Sequence, residues 1–561
     1  MTIKIEEKQT EKVPGETSLF VSFPYNQELI DIIKSFSGSN YSKKTKVWEI
    51  PVPYLHKLID EACLIGDIEL SLLEEEKEND IDYNSIQLQE YRYKPFAYQE
   101  EGIKFGLTHN SWLLLFDMGL GKSNIIICIA NELKQRGEIE HCLIICGVNS
   151  LKSNWKKEIK KFTDLSCTVL GERYTRTGRA VTGTIADRLA HLKRPIEEFF
   201  VITNIETLRN PEIVKAINDG PNKFDMIAVD EIHRCSSDPS TKQAIGLLGT
   251  SGAKYKIGAT GTLITNDPLN AYVPLKWIGA ERGTYTNFKN FYCVFSNRIR
   301  GLITGVKNMD YLRDIIKDNS LRKTKDILGL PPKTIINEYV DMEEAQEHFY
   351  EDIKHGVKDQ VDKIELNTTN LLALVARLRQ ATACPTYLTT ENIPSAKVDR
   401  AVDLVEQIVS EGNKVVVFST FKETVNILNE RLEKYRPLVC TGDVKDSDVS
   451  DNIDTFQKDD SRKVFLATWQ KCGTGVTLTA SRYMIFLDIP YTNASYEQAQ
   501  DRIYRIGTDS PVFIYHLITT GTVDERVLEI VEDKAAISDY LVDGQVPRNV
   551  MNSLRSIITE L

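Results

Sequence analysis

Short apolar runs recur along the chain and predict an alternation of strands and helices. Between residues 94 and 278, runs that precede loops and helical stretches lie at residues 112–116, 141–146, 199–203, 226–229 and 255–259. Runs that are apolar throughout are typical of strands buried on both faces. This segment therefore predicts a parallel sheet with helices on both sides.

The same alternation returns after residue 397. Further apolar runs lie at residues 414–418, 463–467, 483–487 and 512–516. The pattern between these two segments, at residues 281–388, is mostly helical, as in residues 370–378. We therefore predict an α/β protein with two parallel-sheet lobes and an intervening helical region.

The N-terminal part predicts a small α+β domain and a linker. Residues 1–15 are polar, and we expect them to be loose. Strand-like alternation at residues 20–23 and 46–52 encloses helical spacing at residues 28–34. The acidic run at residues 74–82 has no apolar period, so we interpret it as a linker.

Composition narrows the class of protein. A chain of 561 residues exceeds one ordinary core, and 42% hydrophobic with 27% charged residues is typical of soluble globular proteins. No apolar run approaches the roughly 20 residues of a membrane-spanning helix, and the N-terminus lacks a signal-peptide core. We therefore expect a cytoplasmic protein without membrane contact. The ten cysteines include no Cys-x-x-Cys pair, which predicts buried thiols rather than a zinc site or disulfides.

The net charge of −11 argues only weakly against a nucleic-acid partner, because affinity depends on local basic patches. One basic run lies at residues 152–161 and includes Trp155. Charge alone is equally compatible with a nucleic-acid contact and with a solvated helix face.

A glycine-rich loop follows the apolar run 112–116 and precedes a helical stretch. Its glycines let backbone amides point at phosphate oxygens, and the start of the helix adds a partial positive charge. Lys122 is predicted to reach the β and γ phosphates, and Ser123 to hold magnesium. Phe116 stands where the strict motif has its first glycine. The predicted nucleotide-binding residues here are Gly119, Gly121, Lys122 and Ser123.

Two carboxylates, Asp230 and Glu231, follow the apolar run 226–229. They are predicted at the carboxyl end of a strand, where α/β sheets bind ligands. We expect Asp230 to bind Mg²⁺ and Glu231 to polarise the attacking water. His233 is predicted to link this loop either to the other lobe or to the segment around Thr260.

Three further side chains complete the predicted site. Arg502 and Arg505 are three residues apart in a predicted helix, so they share a face and suit the charge of a transferred phosphate. Gln99, which precedes the glycine-rich loop, has the donor and acceptor needed to read an adenine edge.

These segments resemble the Swi/Snf-type ATPases of helicase superfamily two over residues 94–539. The resemblance is carried by the motifs starting at Asp117, Leu151, Asp230, Ala259, Leu321, Gly473 and Gln498. Departures are Ile232 for the usual alanine, Thr477 for an asparagine, and Tyr491 near a usual tryptophan. The compact chain resembles bacterial or phage motors of this group more than chromatin remodellers.

The resemblance implies a fold and its domain limits. It implies two RecA-like lobes at residues 94–280 and 396–540, with a helical region at 281–395 and a C-terminal tail at 541–561. The N-terminal domain, residues 1–80 with its linker, is similar to the accessory domain of annealing helicases. The alternative for that domain is a cap that packs on the first lobe, with Trp48 in its core.

The resemblance also implies an activity. ATP hydrolysis with Mg²⁺ between the lobes would drive movement along double-stranded or forked DNA, as in DNA repair, with Gly475 also at the nucleotide. Expected DNA contacts are Trp155, Thr203, Ser419 and Thr479, and we expect a monomer. The alternatives are a strand-separating or RNA-directed helicase, and an ATP-gated DNA-binding recruitment module of a repair or defence assembly.

Overall fold

Two parallel β-sheets, each in its own unit of the chain, carry the candidate site residues. In the computed structural model, the first unit comprises Met1–Phe116 and Gly121–Lys323, and the second comprises Asp117–Leu120 and the described residues from Thr324 onward. The structure describes residues 1–10, 17–71, 86–147, 151–174, 180–181, 183–235, 238–264, 268–295, 303–363, 368–472, 476–490, 493–505 and 507–529.

The N-terminal residues form a sheet with two helices. Its elements are β1 (Thr2–Gln9), β2 (Thr17–Ser22), α1 (Gln27–Ser35), β3 (Asn40–Ser42), β4 (Val47–Pro51), a 3-10 helix (Val52–Tyr54), α2 (Leu55–Ala62) and β5 (Asp67–Ser71). The strand order is β3-β4-β2-β1-β5. The expectation that residues 1–15 are loose was wrong for the described residues 1–10, because Ile3 and Ile5 alternate with polar neighbours and are fully buried in β1. Residues 11–15 lie outside the described residues. The acidic run at residues 74–82 lies outside the described residues.

A seven-stranded sheet, parallel throughout, forms the centre of the first unit, with strand order β16-β6-β13-β12-β7-β11-β8. Its strands and those of two small ribbons are β6 (Ser111–Phe116), β7 (Cys142–Cys146), β8 (Cys167–Val169), β9 (Arg173–Tyr174), β10 (Ala180–Val181), β11 (Phe200–Asn204), β12 (Met226–Asp230), β13 (Tyr255–Ala259), β14 (Cys293–Phe295), β15 (Ile303–Val306) and β16 (Ser320–Lys323).

Helices accompany this sheet along the chain. They are α3 (Ala97–Thr108), α4 (Lys122–Gln135), α5 (Leu151–Phe162), α6 (Ile185–Leu192), α7 (Pro211–Asp219), α8 (Lys242–Leu248), α9 (Tyr272–Ile278), α10 (Tyr285–Tyr292) and α11 (Met309–Asp318). Short 3-10 helices lie at Ile205–Arg209, Ile232–Cys235 and Pro268–Ala271. The five strands predicted from apolar runs are confirmed as the inner strands of the sheet. The sequence missed both edge strands, since β8 is short and every residue of β16 stays partly exposed.

The second unit contains a six-stranded parallel sheet of order β17-β22-β21-β18-β20-β19. Its strands are β17 (Lys333–Val340), β18 (Val415–Ser419), β19 (Leu438–Cys440), β20 (Val464–Thr468), β21 (Tyr483–Phe486) and β22 (Val512–Thr519). Its helices are α12 (Glu344–Lys363), α13 (Thr368–Ala383), α14 (Ala396–Ser410), α15 (Lys422–Arg431), α16 (Asp446–Lys458), α17 (Trp469–Cys472) and α18 (Asn493–Gln500), with 3-10 helices at Lys325–Leu328, Pro385–Tyr387 and Glu433–Tyr435.

Strand β18 shows how the second sheet is buried on both faces. Val416 and Phe418 belong to one apolar cluster, while Val415 and Val417 belong to another. Alternate residues of a strand point to opposite faces, so this apolar run needs cover on both sides. The α/β fold with two parallel-sheet lobes is thereby confirmed. The mostly helical pattern expected at residues 281–388 missed β16 and β17, which are edge strands of the two sheets.

Three of the predicted buried thiols lie where expected. Cys128, Cys142 and Cys146 are at most 3% exposed, and burial raises the pKa of Cys128 to about 12. In the part of the chain that the structure describes, no helix combines the length and apolar character that crossing a bilayer requires.

Candidate active site

The glycine-rich loop joins β6 to α4 as the sequence predicted. Gly119 and Gly121 have φ of +85° and +80°, which glycine adopts without the steric cost that a Cβ brings. Gly121 caps α4, and the amides at the start of a helix point toward a bound anion. The Lys122 ammonium donates to the main-chain oxygen of Phe116 at 2.9 Å. This cradle fits the phosphates of a nucleotide.

Gln99 is tied to the same loop. Its side-chain oxygen accepts from the Phe96 main-chain N–H at 3.1 Å and from the Asn124 amide at 3.3 Å. A Cβ on Gly121 would lie 2.3 Å from the Gln99 amide nitrogen, so the loop approaches Gln99 only because residue 121 is glycine. Gln99 thus connects α3 to the start of α4, and its contact with adenine stays a prediction.

The acidic pair lies at the carboxyl edge of the same sheet. Asp230 ends β12, which is separated from β6 only by β13. The indole N–H of Trp155 donates to the Asp230 carboxylate at 3.0 Å. Burial and the neighbouring Glu231 raise the pKa of Asp230 to about 6, against the opposing effect of Lys122. A divalent cation would relieve this crowding of negative charge, so the residues fit Mg²⁺.

Glu231 adopts an unusual backbone conformation, with φ of +55°. Such strain in a residue with a long side chain persists only where the surroundings enforce it. The Glu231 oxygen Oε2 is buried, accepts no hydrogen bond within the described residues, and lies 3.3 Å from His233 Nδ1. A buried acceptor of this kind is suited to a water molecule.

His233 links the acidic loop to the next strand. Its Nδ1 lies 2.8 Å from the hydroxyl of Thr260, directly after β13. Burial, with Arg234 and Lys122, lowers the pKa of His233 to about 3, so the ring is neutral. Of the two links predicted for His233, the structure shows the one to the segment around Thr260. A Cβ on Gly147 would lie 2.9 Å from the Glu231 Cβ, a constraint that the sequence alone did not reveal.

The arginines of the second unit lie in a turn, not in a helix. Helix α18 ends at Gln500, so the prediction that Arg502 and Arg505 share a helical face was wrong. The Arg502 guanidinium donates to the main-chain oxygens of Gln498 at 2.8 Å and Val476 at 3.1 Å. Because α18 ends at Gln500, the orientation of Arg502 is set by these two hydrogen bonds and not by helical geometry.

Arg505 is oriented by a side chain instead. Its guanidinium donates to the hydroxyl of Thr477 at 2.8 Å. Thr477 is one of the positions at which the sequence departs from the pattern it resembles. A hydroxyl acceptor there can hold the guanidinium as an amide oxygen would. Gly475, expected at the nucleotide, lies outside the described residues.

Three of the four residues that were expected to contact DNA are buried in the structure, which argues against that role. Trp155, Thr203 and Ser419 are at most 1% exposed. Trp155 orients Asp230, and the Ser419 hydroxyl donates to Asp488 at 2.6 Å. Only Thr479 of this set is partly exposed, and its hydroxyl accepts from Gln457 at 3.2 Å. The first three residues are therefore buried in the structure and offer no surface to DNA.

The basic run at residues 152–161 does not form one uniform face. Lys152 is 5% exposed, and burial lowers its pKa to about 8. Lys156 pairs with Glu172, whereas Lys157, Lys160 and Lys161 are exposed on α5. A nucleic-acid contact at this run stays a prediction.

These features define an α/β protein with a phosphate-binding loop and an acidic pair on one sheet edge. The chain matches the family model of the SNF2-related domain over residues 87–387, more than half of its length, and it belongs to that family. The model of the helicase conserved C-terminal domain matches residues 396–507. The resemblance to Swi/Snf-type proteins of helicase superfamily two is thereby confirmed.

Individual relatives are distant. The chain is 26% identical over 470 residues to the Bos taurus protein "DNA annealing helicase and endonuclease ZRANB3", covering 81% of this chain and 41% of that protein. It is 25% identical to an uncharacterized ATP-dependent helicase of Mycoplasma genitalium, covering 78% of this chain and 41% of that protein. The chain thus spans about two fifths of the length of these relatives.

A solved structure, the Sulfolobus solfataricus SWI2/SNF2 ATPase core in complex with double-stranded DNA, is 24% identical with a TM-score of 0.37. The match covers 82% of this chain and 96% of that one.

Proposed function

We propose that this protein is a DNA-dependent ATPase that moves along double-stranded DNA and remodels or anneals forked DNA. The observation that carries the proposal is the convergence of Lys122, Asp230 and Glu231 on one edge of one parallel sheet in an SNF2-related chain. The name of the bovine relative refers to DNA annealing, which supports the choice of forked DNA as a substrate.

The chain's own residues suggest a division of work. The loop amides and Lys122 bind the phosphates, and Ser123 and Asp230 would hold Mg²⁺, which supplies charge neutralisation when bound. Glu231 orients a water molecule and accepts its proton, while neutral His233 holds the acidic loop to Thr260. Arg502 and Arg505 stabilise the negative charge that develops on the transferred phosphate.

The proposal is tested by the ATPase rate of the purified protein with no nucleic acid, duplex DNA, single strands, a forked duplex and RNA. We expect strong stimulation by duplex or forked DNA and little by RNA. Preference for the fork would support annealing or fork remodelling. Stimulation by RNA or by single strands alone would contradict a duplex motor, and no stimulation by any of them would favour an ATP-gated module.

Glu231→Gln should retain ATP binding and lose turnover, because an amide binds a water molecule but cannot take its proton. We expect the steady-state rate to fall by at least about 100-fold, the scale of general base catalysis. Nucleotide affinity measured by equilibrium titration should change little. Hydrolysis near the wild-type rate in this variant would remove Glu231 from the role of base.

A further inference from the structure

The loop that carries the two arginines depends on two lysines from a distant part of the chain. Residues 501–505 follow the end of α18 and continue as a turn. The lysines are Lys325, on the 3-10 helix that begins the second unit, and Lys333, the first residue of β17. Both contact the loop through their ammonium groups.

Lys325 makes three contacts with this arginine loop (residues 501–505). Its ammonium forms an ion pair with Asp501, donates to the main-chain oxygen of Tyr504 at 3.1 Å, and lies 5.5 Å from the centre of the Tyr504 ring. The side chains of Lys325 and Asp501 are only 13% and 12% exposed. Limited solvent screening makes such a pair stronger than a surface ion pair.

Lys333 adds a second set of contacts. Its ammonium donates to the Gln500 side-chain oxygen at 2.8 Å and lies 5.6 Å from the Tyr504 ring centre. Burial lowers the pKa of Lys333. Because Lys333 begins β17, which pairs with β22 over its whole length, these contacts tie the arginine loop to the second sheet.

The contacted residues bracket the arginines. Gln500 and Asp501 precede Arg502, and Tyr504 lies between Arg502 and Arg505. The guanidinium bonds of Arg502 and Arg505 described above go to residues 476, 477 and 498, so they orient the two side chains.

The main chain of the loop is held separately: the Leu478 amide donates to the Arg502 oxygen at 2.8 Å, and the Thr508 hydroxyl donates to the Ile503 oxygen at 2.9 Å. Lys325 adds the bond to the Tyr504 oxygen, which these two residues do not contact. Lys325 bonds both a side chain and a main-chain oxygen of this loop.

We propose that Lys325 is a positioning residue that sets the main-chain conformation of the arginine loop through Asp501 and Tyr504. The inference rests on the proposed ATPase function. Lys325 touches neither the nucleotide nor the reacting atoms in this role. Its removal should therefore reduce the chemical step while leaving nucleotide binding largely unchanged.

The experiment compares Lys325→Met and Lys325→Arg with wild type in DNA-stimulated ATPase assays, with kcat and KM measured separately. Displacement of a catalytic group by about 1 Å costs on the order of 100-fold in rate, so we expect kcat of Lys325→Met to fall 10- to 100-fold. The KM for ATP should stay within about 3-fold on this scale. Lys325→Arg keeps the charge and should restore most of kcat.

Lys434→Met is the matched control. Lys434 also pairs with a carboxylate, Glu406, and lies 5.0 Å from the Tyr435 ring centre, but its side chain is 59% exposed and both of these partners lie outside the arginine loop. We expect wild-type kcat in this variant. A loss there equal to that of Lys325→Met would overturn the inference, because any ion pair would then matter equally.

Asp501→Asn covers the possibility that Lys325→Met does not fold. It removes the same ion pair from the other side, and we expect a similar loss of kcat, with no further loss in the double variant. Wild-type kcat in folded Lys325→Met or in Asp501→Asn would overturn the inference while leaving the proposed ATPase intact. A wild-type protein without ATPase activity would overturn the proposed function and this inference with it.

Discussion

Asp230 sits between opposing electrostatic influences. Burial and the adjacent Glu231 favour the protonated carboxyl, whereas Lys122 and the Trp155 indole favour the carboxylate. The first pair dominates, so the pKa rises from an ordinary value of 3.8 to about 6. The pKa of Asp230 differs between the folded protein and the unfolded chain. The folding stability of the nucleotide-free protein therefore depends on pH.

Between pH 4 and pH 6 the folded protein holds a proton on Asp230 that the unfolded chain has lost. The unfolding free energy therefore falls as pH rises through this window. Asp230→Asn keeps an acceptor for Trp155 and removes the charge, so it should stabilise the metal-free protein at pH 7.5 by about 3 kcal/mol. Thermal unfolding should show the gain at pH 7.5 and its disappearance near pH 4. A gain that is constant over this range would contradict the raised pKa.

In the phosphate-binding loop, both the available space and the backbone conformation limit which residue can stand at position 121. Gly121 precedes the first residue of α4, and Gly137 lies just after the end of the same helix. Both glycines have a positive φ. A Cβ at Gly121 would meet the Gln99 amide, whereas a Cβ at Gly137 would meet nothing within 4 Å. The two positions thus separate the cost of backbone strain from the cost of contact.

Gly121→Ala should weaken ATP binding, and Gly137→Ala should leave it unchanged. Both variants pay about 1 kcal/mol for a left-handed residue, which thermal unfolding should register for each. Only Gly121→Ala must also displace Gln99 from its contact with α4. Equilibrium binding of a fluorescent ATP analogue separates the two effects. Normal binding by Gly121→Ala would mean that the loop tolerates this displacement.

The bond from Arg505 to Thr477 makes a prediction for the second unit. Thr477→Ala should lower the stimulated ATPase rate about 10-fold, since a hydrogen bond to a charged group contributes about 1.5–3 kcal/mol. Thr477→Asn keeps an acceptor and should be nearly as active as wild type.

Arg505→Ala should abolish the stimulation of ATPase activity by DNA while sparing DNA affinity in a binding assay. Ser510→Ala, which removes a hydroxyl bonded to the neighbouring Asp509, serves as the control. Loss of DNA affinity in Arg505→Ala would assign that arginine to the DNA surface.

Inner strands were predictable from sequence because burial on both faces demands an unbroken apolar run, as in β7 and β18. Edge strands such as β16 are not buried on both faces, need no unbroken apolar run, and were therefore missed.

The candidate site likewise contains residues that the sequence predicted and features that it did not. Residue types at fixed spacing identified Lys122, Asp230 and Glu231. The left-handed backbone of Glu231 and the burial of Trp155 depend on tertiary packing, which no local pattern encodes.

At the scale of the whole molecule, the N-terminal sheet is an integral part of the first unit. Tyr54 packs edge-on against Phe291 of α10 with ring centres 4.6 Å apart. Glu7, only 5% exposed, forms an ion pair with Arg282 at 2.9 Å. Of the alternative of a cap that packs on the first lobe with Trp48 in its core, the packing is supported by the contact with α10, whereas the core position is wrong because Trp48 is only partly buried.

Arg282→Met should destabilise the first unit by about 3 kcal/mol, because it leaves the buried Glu7 charge without its partner. Glu7→Gln combined with Arg282→Met should recover part of this loss. Chemical denaturation followed by tryptophan fluorescence measures both changes. Lys4→Met removes the exposed pair with Glu69 and should change stability by less than about 1 kcal/mol. An equal effect of Lys4→Met and Arg282→Met would contradict the importance of burial.

The position of β6 in its sheet has a consequence for biosynthesis. This strand leads into the phosphate-binding loop, yet its neighbours are β13 and β16, which follow it by roughly 140 and 200 residues. At about 5–20 residues per second, a ribosome needs on the order of ten seconds or more to deliver them. Until β13 has emerged this apolar strand has no partner on either edge, and its second edge stays unpaired until Lys323 has emerged. Unpaired strand edges favour aggregation, so we expect chaperones to protect the nascent chain during this interval.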